Sequence, residues 1–275
     1  MALGVDRAPG AVQSIPARPP ERRRWPQRTR TRDYPLRVSS DLEMSRRHLH
    51  MLPKVVLITG TDTEVGKTIT TAALAAALSA DRRTVAVYKP TQAGAAGGQG
   101  DIDVVRRLTG LGDVHEGVRL IYPMAPVAAA ARAHVKLPSV QDHAAIIERL
   151  AATHEHVLVE GAGGLLVALD EDGRTLADIA MTIAAACAAV VVSRSALGTL
   201  NHTELTLEAL HRRGIPIAGV VIGSWPQQPT GIDVSNRHYL AGHLVPLIGV
   251  IPAGAGTLPP AVFRASADSW FSVSQ

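Results

Sequence analysis

Runs of apolar residues alternate with amphipathic stretches along the chain from residue 54 onward. Six short runs are apolar throughout, which is typical of strands buried on both faces of a parallel sheet: 54–59, 84–88, 156–160, 188–193, 217–222 and 246–250. Apolar residues at helical spacing predict helices at 67–80, about 101–109, 139–152, 175–186, 203–213 and 235–243. The alternation predicts an α/β fold, with a mostly parallel central sheet and helices on both of its faces.

The first predicted strand leads into a glycine-bounded turn, Gly60 to Gly66, and then into Lys67-Thr68 at the start of a helix. Such a loop binds nucleoside triphosphates, because its N–H groups and the helix dipole both favour phosphate. Lys67 adds a positive charge, and the Thr68 hydroxyl can ligate Mg²⁺. The strict P-loop pattern would have Gly at position 61, where this chain has Thr61. We predict a P-loop NTPase sandwich of three layers; the alternative is a chance Gly-Lys-Thr in an ordinary loop.

Three further groups that can carry chemistry follow other predicted strands. Lys89 comes directly after the second strand, Glu160 ends the third, and Asp101 and Asp103 follow a glycine-rich loop. Because ligands of open α/β sheets bind at the carboxyl ends of the strands, we expect these groups near the P-loop. A lysine there can pair with phosphate or substrate, and a carboxylate can ligate Mg²⁺. The alternatives are a solvated lysine, aspartates that cap a helix, and a plain turn after Glu160.

The positive charge of the chain is concentrated at its beginning. Residues 1–50 contain eleven Arg and five acidic residues, so a net charge of +4 for the chain leaves −2 for residues 51–275. The Arg- and Pro-rich segment 1–52 has no sustained apolar period, and we predict a disordered leader followed by one domain, 53–275. A translated upstream segment is favoured over a nucleic-acid arm or a transit peptide. The acidic balance of the domain argues against a nucleic-acid partner.

The only cysteine, Cys187, lies in an alanine-rich run. One cysteine excludes a disulfide framework and a cysteine-based zinc site, and it fits a reducing compartment. No apolar run is long enough to span a membrane, and the first fifty residues lack the apolar segment of a secretory signal. We therefore expect a cytoplasmic protein with no membrane partner.

Four segments at these predicted strand ends resemble dethiobiotin synthetase in sequence and in order: GTDTEVGKT, YKP, EGAGG and LGTLNHT. The resemblance covers about residues 54–260, and VIGSWP near 221–226 is similar to the actinobacterial form. It implies a homodimeric, ATP-dependent cyclo-ligase of biotin biosynthesis. Such an enzyme converts 7,8-diaminopelargonate, CO₂ and ATP to dethiobiotin, ADP and phosphate, through a carbamate and a carbamic–phosphoric anhydride.

The resemblance also implies roles for individual residues. The two catalytic lysines match Lys67 and Lys89, and the Mg²⁺ ligands match Thr68, Asp101 and Glu160. Asp101 is preferred to Asp103 because it keeps the family's spacing to the end of its helix. The positions that contact the nucleotide match Thr63, Glu64, Val65, Gly66, Lys67, Thr68, Gly223 and Ser224. Those that contact the substrate match Lys89, Ala93, Gly163, Leu200 and Asn201, of which the last two lie near the subunit interface, so that two chains enclose the substrate's tail.

Two positions depart from the family pattern. Ala93 replaces the Ser or Thr of KPxx[ST]G, so that a hydroxyl contact to the substrate is either missing or replaced by a contact from Thr91 or Gln92. Losing one such hydrogen bond would cost about 1 kcal/mol. Gly223 and Ser224 occur where some members read adenine with Asn, which suggests relaxed nucleotide selectivity.

Two other ATPase classes are alternatives to the ligase. A cobyrinate-type amidoligase carries a glutamine amidotransferase domain with a reactive cysteine, for which this chain has neither room nor a suitable Cys. A nucleotide-switched ATPase of the ParA/MinD kind has a signature lysine five positions before the P-loop lysine, where this chain has Asp62. The sequence favours the ligase over both.

Overall fold

The computed structural model describes residues 49, 51–94 and 98–271, all within the unit Ser39–Gln275. The predicted leader, 1–52, falls almost wholly outside the described residues. The strands that the structure describes are β1 Val55–Gly60, β2 Val85–Ala93, β3 Val114–Leu120, β4 His156–Gly164, β5 Cys187–Ser193, β6 Ile217–Trp225 and β7 Leu247–Pro252. They form one parallel sheet in the order β3-β2-β4-β1-β5-β6-β7.

Helices cover both faces of this sheet. Those in the described residues are α1 Lys67–Ala80, α2 Asp101–Thr109, α3 Pro126–Ala133, α4 Val140–Thr153, α5 Leu176–Thr182, α6 Thr199–Arg212, α7 Gly231–Ala241 and α8 Pro260–Ser266. One apolar cluster joins α1, α2 and α8 to one face, and a second joins α4, α5, α6 and α7 to the other. The predicted three-layer α/β sandwich is confirmed.

The central strand β1 shows why these strands are apolar at every position. Val56 and Ile58 belong to one apolar cluster, whereas Val55 and Leu57 belong to the cluster on the opposite face. All four side chains are fully buried. A strand between two helical layers has no solvent-facing side, so period-two alternation disappears.

Three elements were not predicted. Strand β3 lies at the edge of the sheet and pairs only with β2; its sequence, VHEGVRL, alternates buried and more exposed positions and so lacks a continuous apolar run. Helix α3 is a short alanine-rich segment that begins with Pro126. Helix α8 also begins with a proline, Pro260.

Several boundaries also differ from the prediction. Strands β2, β4 and β6 continue to Ala93, Gly164 and Trp225, beyond the predicted ends at 88, 160 and 222. The helix predicted at 175–186 ends at Thr182, because the chain turns extended there and leads into β5. Helices α6 and α7 begin at Thr199 and Gly231, before the predicted 203 and 235. For α7 the signal was present and overlooked: Thr230 and Asp233 form a capping box.

None of the helices that the structure describes combines the length and apolar character needed to cross a membrane.

Candidate active site

The carboxyl ends of β1, β2 and β4 and the amino end of α1 surround a cleft of about 770 Å³. They meet because these strands are neighbours in the parallel sheet and α1 directly follows β1. Residues 123–125, which precede α3, and its first residue, Pro126, complete the wall. This is the edge at which open α/β sheets bind ligands.

Close packing fixes the loop between β1 and α1. Gly66 has a φ of 97°, and a Cβ at this position would lie 2.3 Å from the carbonyl oxygen of Gly223 at the end of β6. Glu64 also has a positive φ, 56°, a conformation that costs a non-glycine residue about 1 kcal/mol. No side chain of the described residues caps α1. The first amide groups of the helix therefore remain available to an anion at the cleft.

Lys67 occupies the first position of α1 and is buried. Its Nζ donates a hydrogen bond to the carbonyl oxygen of Asp62, at 2.9 Å. Burial lowers the pKa of Lys67, and the nearby charge of Lys89 adds to that shift. The Asp62 carboxylate in turn accepts hydrogen bonds from the Thr63 amide and from Arg194. The loop thus holds the Lys67 ammonium group at the cleft, where it can contact phosphate oxygens.

Lys89 is the more enclosed of the two lysines of the site, with 3% of its surface exposed against 7% for Lys67. Its Nζ lies 2.7 Å from Asp101 Oδ2 and 2.8 Å from Glu160 Oε1, and it donates a third bond to the Gly161 carbonyl at 3.1 Å. Burial alone would lower the pKa of Lys89, but the two carboxylates outweigh it and raise this pKa. Lys89 is therefore a cation held in place between two anions.

Two carboxylates and one hydroxyl form the candidate Mg²⁺ site. Thr68 Oγ1 donates to Glu160 Oε1 at 2.9 Å, and Asp101 reaches the same group through Lys89. Glu160 Oε2 is buried and has no partner among the described residues. An unpaired carboxylate oxygen is costly unless a cation or a donor completes it. Carboxylate and hydroxyl oxygens are hard donors that suit Mg²⁺, which retains several waters. No cluster of three His, Cys, Asp or Glu side chains occurs in the part of the chain described.

The structure brings most of the predicted site residues together. Those that line the cleft are Thr63, Glu64, Gly66, Lys67, Thr68, Lys89, Ala93, Asp101, Glu160 and Gly163. Five others lie outside it. Val65 is buried beneath the loop, and Gly223 packs directly against Val65 and Gly66. Ser224 and Asn201 are exposed, and Leu200 packs into the apolar cluster on the α4–α7 side. Their roles remain predictions.

Sequence reasoning missed the apolar wall of the cleft. Pro123, Met124 and Pro126 line it, together with Ala162 and Val167. These side chains carry no chemical signature, and the strand before residues 123–126 was not predicted. Gln92 was considered only as a substrate contact. Its Oε1 accepts a hydrogen bond from the backbone amide of Asp101 at 2.8 Å. Gln92 therefore joins β2 to α2, the helix that carries Asp101. A glutamine before a Gly-rich loop does not indicate this contact in the sequence.

Comparison with known proteins identifies the family. A family model described as an AAA domain matches residues 54–260. A protein of Parafrankia sp. named ATP-dependent dethiobiotin synthetase BioD is 53% identical over 209 residues, covering 74% of this chain and 86% of its own length. Proteins of the same name from Mycobacterium sp. (strain JLS) and Streptomyces coelicolor are 49% and 47% identical, covering 76% and 79% of this chain and 92% of each relative.

The chain belongs to the dethiobiotin synthetase family. As a member of the dethiobiotin synthetase family it is an enzyme of the ATP-dependent ligase class. The resemblance inferred from the four sequence segments is confirmed, and the ligase is preferred to the amidoligase and to the nucleotide switch.

Solved structures show the same fold at much lower identity. The septum-site-determining protein MinD of Pyrococcus horikoshii, complexed with Mg-ADP, gives a TM-score of 0.52 at 17% identity, covering 80% of this chain and 93% of that one. The cell division ATPase MinD of Pyrococcus furiosus gives 0.52 at 18% identity, covering 80% and 96%. At such identity the likeness shows the P-loop NTPase fold alone. This chain therefore has the same fold as the two MinD proteins.

Proposed function

We propose that this enzyme carboxylates 7,8-diaminopelargonate with CO₂ and closes its ureido ring to give dethiobiotin, with ATP converted to ADP and phosphate. The observation that carries the proposal is Lys89, a buried cation held by Asp101 and Glu160 in the same cleft as the P-loop lysine, Lys67. Joining a carbamate to a triphosphate requires two anions to approach each other. Two lysines converging on one cleft supply the charge that this approach needs.

The reaction would proceed in three bond-forming steps. One substrate amine attacks CO₂, loses a proton and becomes a carbamate. A carbamate oxygen then attacks the γ-phosphorus of ATP, and ADP leaves, which gives the carbamic–phosphoric anhydride. The second amine attacks the carbamate carbon, phosphate leaves and the ring closes with loss of a proton. Phosphoryl transfer of this kind depends on positioning and charge stabilisation more than on covalent catalysis by the protein.

The two lysines have different places in this scheme. Lys67, at the amino end of α1, would contact the outer phosphates and stabilise the charge that develops on them. Lys89 lies deeper and would contact the carbamate and the γ-phosphate. Its raised pKa keeps it protonated, so it acts as a fixed positive charge and not as a base.

Nucleotide and metal binding follow from the same cleft. Thr63, Glu64, Val65, Gly66 and Thr68 would surround the phosphates, and Gly223 and Ser224 would lie toward the base. Thr68, Asp101 and Glu160 would hold Mg²⁺, for which the unpaired Oε2 of Glu160 is the structural support. When bound, Mg²⁺ would neutralise phosphate charge.

The apolar wall suits the aliphatic part of the substrate. Met124 and Val167 line the same cleft as Lys89, so the diamine end would meet the charged groups while the aliphatic chain lies along apolar surface. Ala93 and Gly163 would adjoin the reacting end. Leu200 and Asn201 would contribute from a homodimer interface. The cytoplasmic location stays a prediction of the sequence.

The test is product formation by the full chain with ATP, Mg²⁺, 7,8-diaminopelargonate and ¹³C-bicarbonate. We expect labelled dethiobiotin by mass spectrometry, with one phosphate released for each product molecule. Lys67→Met and Lys89→Met should each lower the rate at least about a hundredfold, whereas Lys136→Met, at an exposed lysine outside the cleft, should not. Phosphate release that needs lipid or DNA and yields no dethiobiotin would contradict the proposal and favour a nucleotide switch.

A further inference from the structure

Thr91 carries a buried hydroxyl that has no hydrogen-bond partner among the described residues. The residue lies in β2, two positions after Lys89, and only 1% of its surface is exposed. An unsatisfied buried hydroxyl is a net cost to the folded protein, typically of the order of 1 kcal/mol or more. Native proteins usually avoid this cost, so its presence in a cleft wall points to a ligand.

The pleat of β2 places Thr91 beside the reacting centre. Alternate residues of a strand project to the same side, so Thr91 shares a face with Lys89 and Ala93. All three residues line the cleft. The Lys89 ammonium group marks the position at which charge would be stabilised, and Thr91 lies two residues farther toward the carboxyl end of β2.

The other side-chain hydroxyl and amide groups that line the cleft already have hydrogen-bond partners. Gln92 Nε2 donates to the Ala93 carbonyl at 3.0 Å, and its Oε1 accepts the Asp101 amide. The Thr68 hydroxyl donates to Glu160, and the Thr63 hydroxyl reaches Asp62 at 3.5 Å. Other unpartnered hydroxyls of the described chain, such as those of Thr59 and Ser79, do not line the cleft. Thr91 is therefore the available hydroxyl beside Lys89.

We infer that Thr91 is a substrate-specificity residue whose hydroxyl hydrogen-bonds the diamine, or the carbamate formed from it, next to Lys89. The inference rests on the proposed function and deepens it, since it assigns this hydrogen bond to Thr91 and not to Gln92. A hydroxyl can donate to a carbamate oxygen or accept from an amine, so it can follow the substrate through carboxylation. Ala93, with only a methyl group, cannot make this contact.

The test compares Thr91→Val with Thr91→Ser in steady-state dethiobiotin formation and in thermal unfolding of the ligand-free protein. Valine has the shape of threonine without the hydroxyl, whereas serine keeps the hydroxyl. Thr91→Val should raise the KM for 7,8-diaminopelargonate about fivefold or more, with the KM for ATP unchanged. Its melting temperature should equal or exceed that of the wild type, because the variant removes an unsatisfied polar group. Thr91→Ser should retain the wild-type KM within about twofold.

The outcomes separate the inference from the proposed function. A wild-type enzyme that makes dethiobiotin, with a Thr91→Val variant whose KM for the diamine is unchanged, would overturn the Thr91 assignment alone. A lower melting temperature with equal shifts in both KM values would overturn it too, since it would show a structural hydroxyl. A wild type that makes no dethiobiotin would overturn the proposed function and this inference together.

Discussion

Asp101 and Asp103 begin the same helix, α2, yet their carboxylates do different things. Asp103 accepts the Gly100 amide at 2.8 Å and Arg119 at 3.0 Å, which caps the amino end of α2 and holds β3 to it. The hydrogen bond from the Gly100 amide is the main cause that lowers the pKa of Asp103, and the hydrogen bond from Arg119 lowers it further. Asp101 instead meets Lys89 at the cleft. Burial alone would raise the pKa of Asp101, and Lys89 more than reverses it.

This division of roles predicts different effects of two matched substitutions. Asp101→Asn should raise the Mg²⁺ concentration for half-maximal phosphate release at least about tenfold, because it removes a candidate metal ligand. Asp103→Asn should leave that concentration unchanged and lower the free energy of unfolding by about 1 kcal/mol, because it weakens a helix cap. Mg²⁺ titrations with saturating ATP, and urea unfolding, measure the two effects. A larger Mg²⁺ shift in the Asp103 variant would reverse the assignment.

Helix α4 is joined to β2 by a buried polar pair beneath the active site. The Tyr88 hydroxyl and His143 Nδ1 lie 2.6 Å apart, and His143 Nε2 has no partner in the described part of the chain. Burial raises the pKa of Tyr88 and lowers the pKa of His143 to about 4. The weaker influence of Asp142 and Asp170 on His143 runs in the opposite direction. Both side chains are therefore neutral at neutral pH.

The lowered pKa of His143 predicts a loss of stability in mild acid. The unfolded chain binds a proton near the ordinary pKa of 6.5, whereas folded His143 binds one only near pH 4, so the folded state is disfavoured as the pH falls between these values. Relative to His143→Gln, which does not titrate, the wild type should lose about 3 kcal/mol of unfolding free energy over this range. Urea unfolding at several pH values measures the difference. Parallel curves for the two proteins would contradict the prediction.

The end of β6 supports the phosphate-binding loop through a contact that only glycine allows. A Cβ at Gly223 would lie 2.2 Å from the Val65 carbonyl oxygen and 2.6 Å from Val192. Gly223→Ala should therefore displace the loop, which would cost about 1–3 kcal/mol and raise the Kd for ATP about tenfold. Gly231→Ala is the matched control, because a Cβ there has no neighbour within 4 Å. Calorimetric titration with ATP measures both, and an unchanged Kd for the Gly223 variant would show that the loop adapts.

At the scale of the whole molecule, the sequence predicts the strands that are buried on both faces and the site residues with distinctive chemistry. The phosphate-binding segment combines an apolar strand, Val55 to Ile58, with a glycine loop that ends at Gly66 and Lys67. Both patterns can be recognised from neighbouring residues alone. Strand β3 was not predicted, because an edge strand keeps polar residues such as Glu116 and Arg119. These two residues, three positions apart, form an ion pair. The contact of Gln92 with Asp101 could not be predicted either, because it depends on how the chain returns to β2. The charged groups of the site could be identified from short sequence segments. The contacts that they make with one another depend on the folded chain and could not.

A further prediction at the scale of the whole molecule concerns its association. The resemblance places Asn201 near a subunit interface, and Leu205 lies four residues later on the same side of α6, with 56% of its surface exposed. A charge introduced at Leu205 would therefore disrupt an interface on this side of α6. We expect the wild type to sediment as a dimer and Leu205→Asp as a monomer. The KM for the diamine should rise in the monomer, because the substrate's tail would lose its contact with the second chain. Val262→Asp, at a comparably exposed apolar position, 46%, in the opposite helical layer, should stay dimeric. Analytical ultracentrifugation decides the matter: a wild-type monomer, or a Leu205→Asp dimer of full activity, would place the interface elsewhere or remove it.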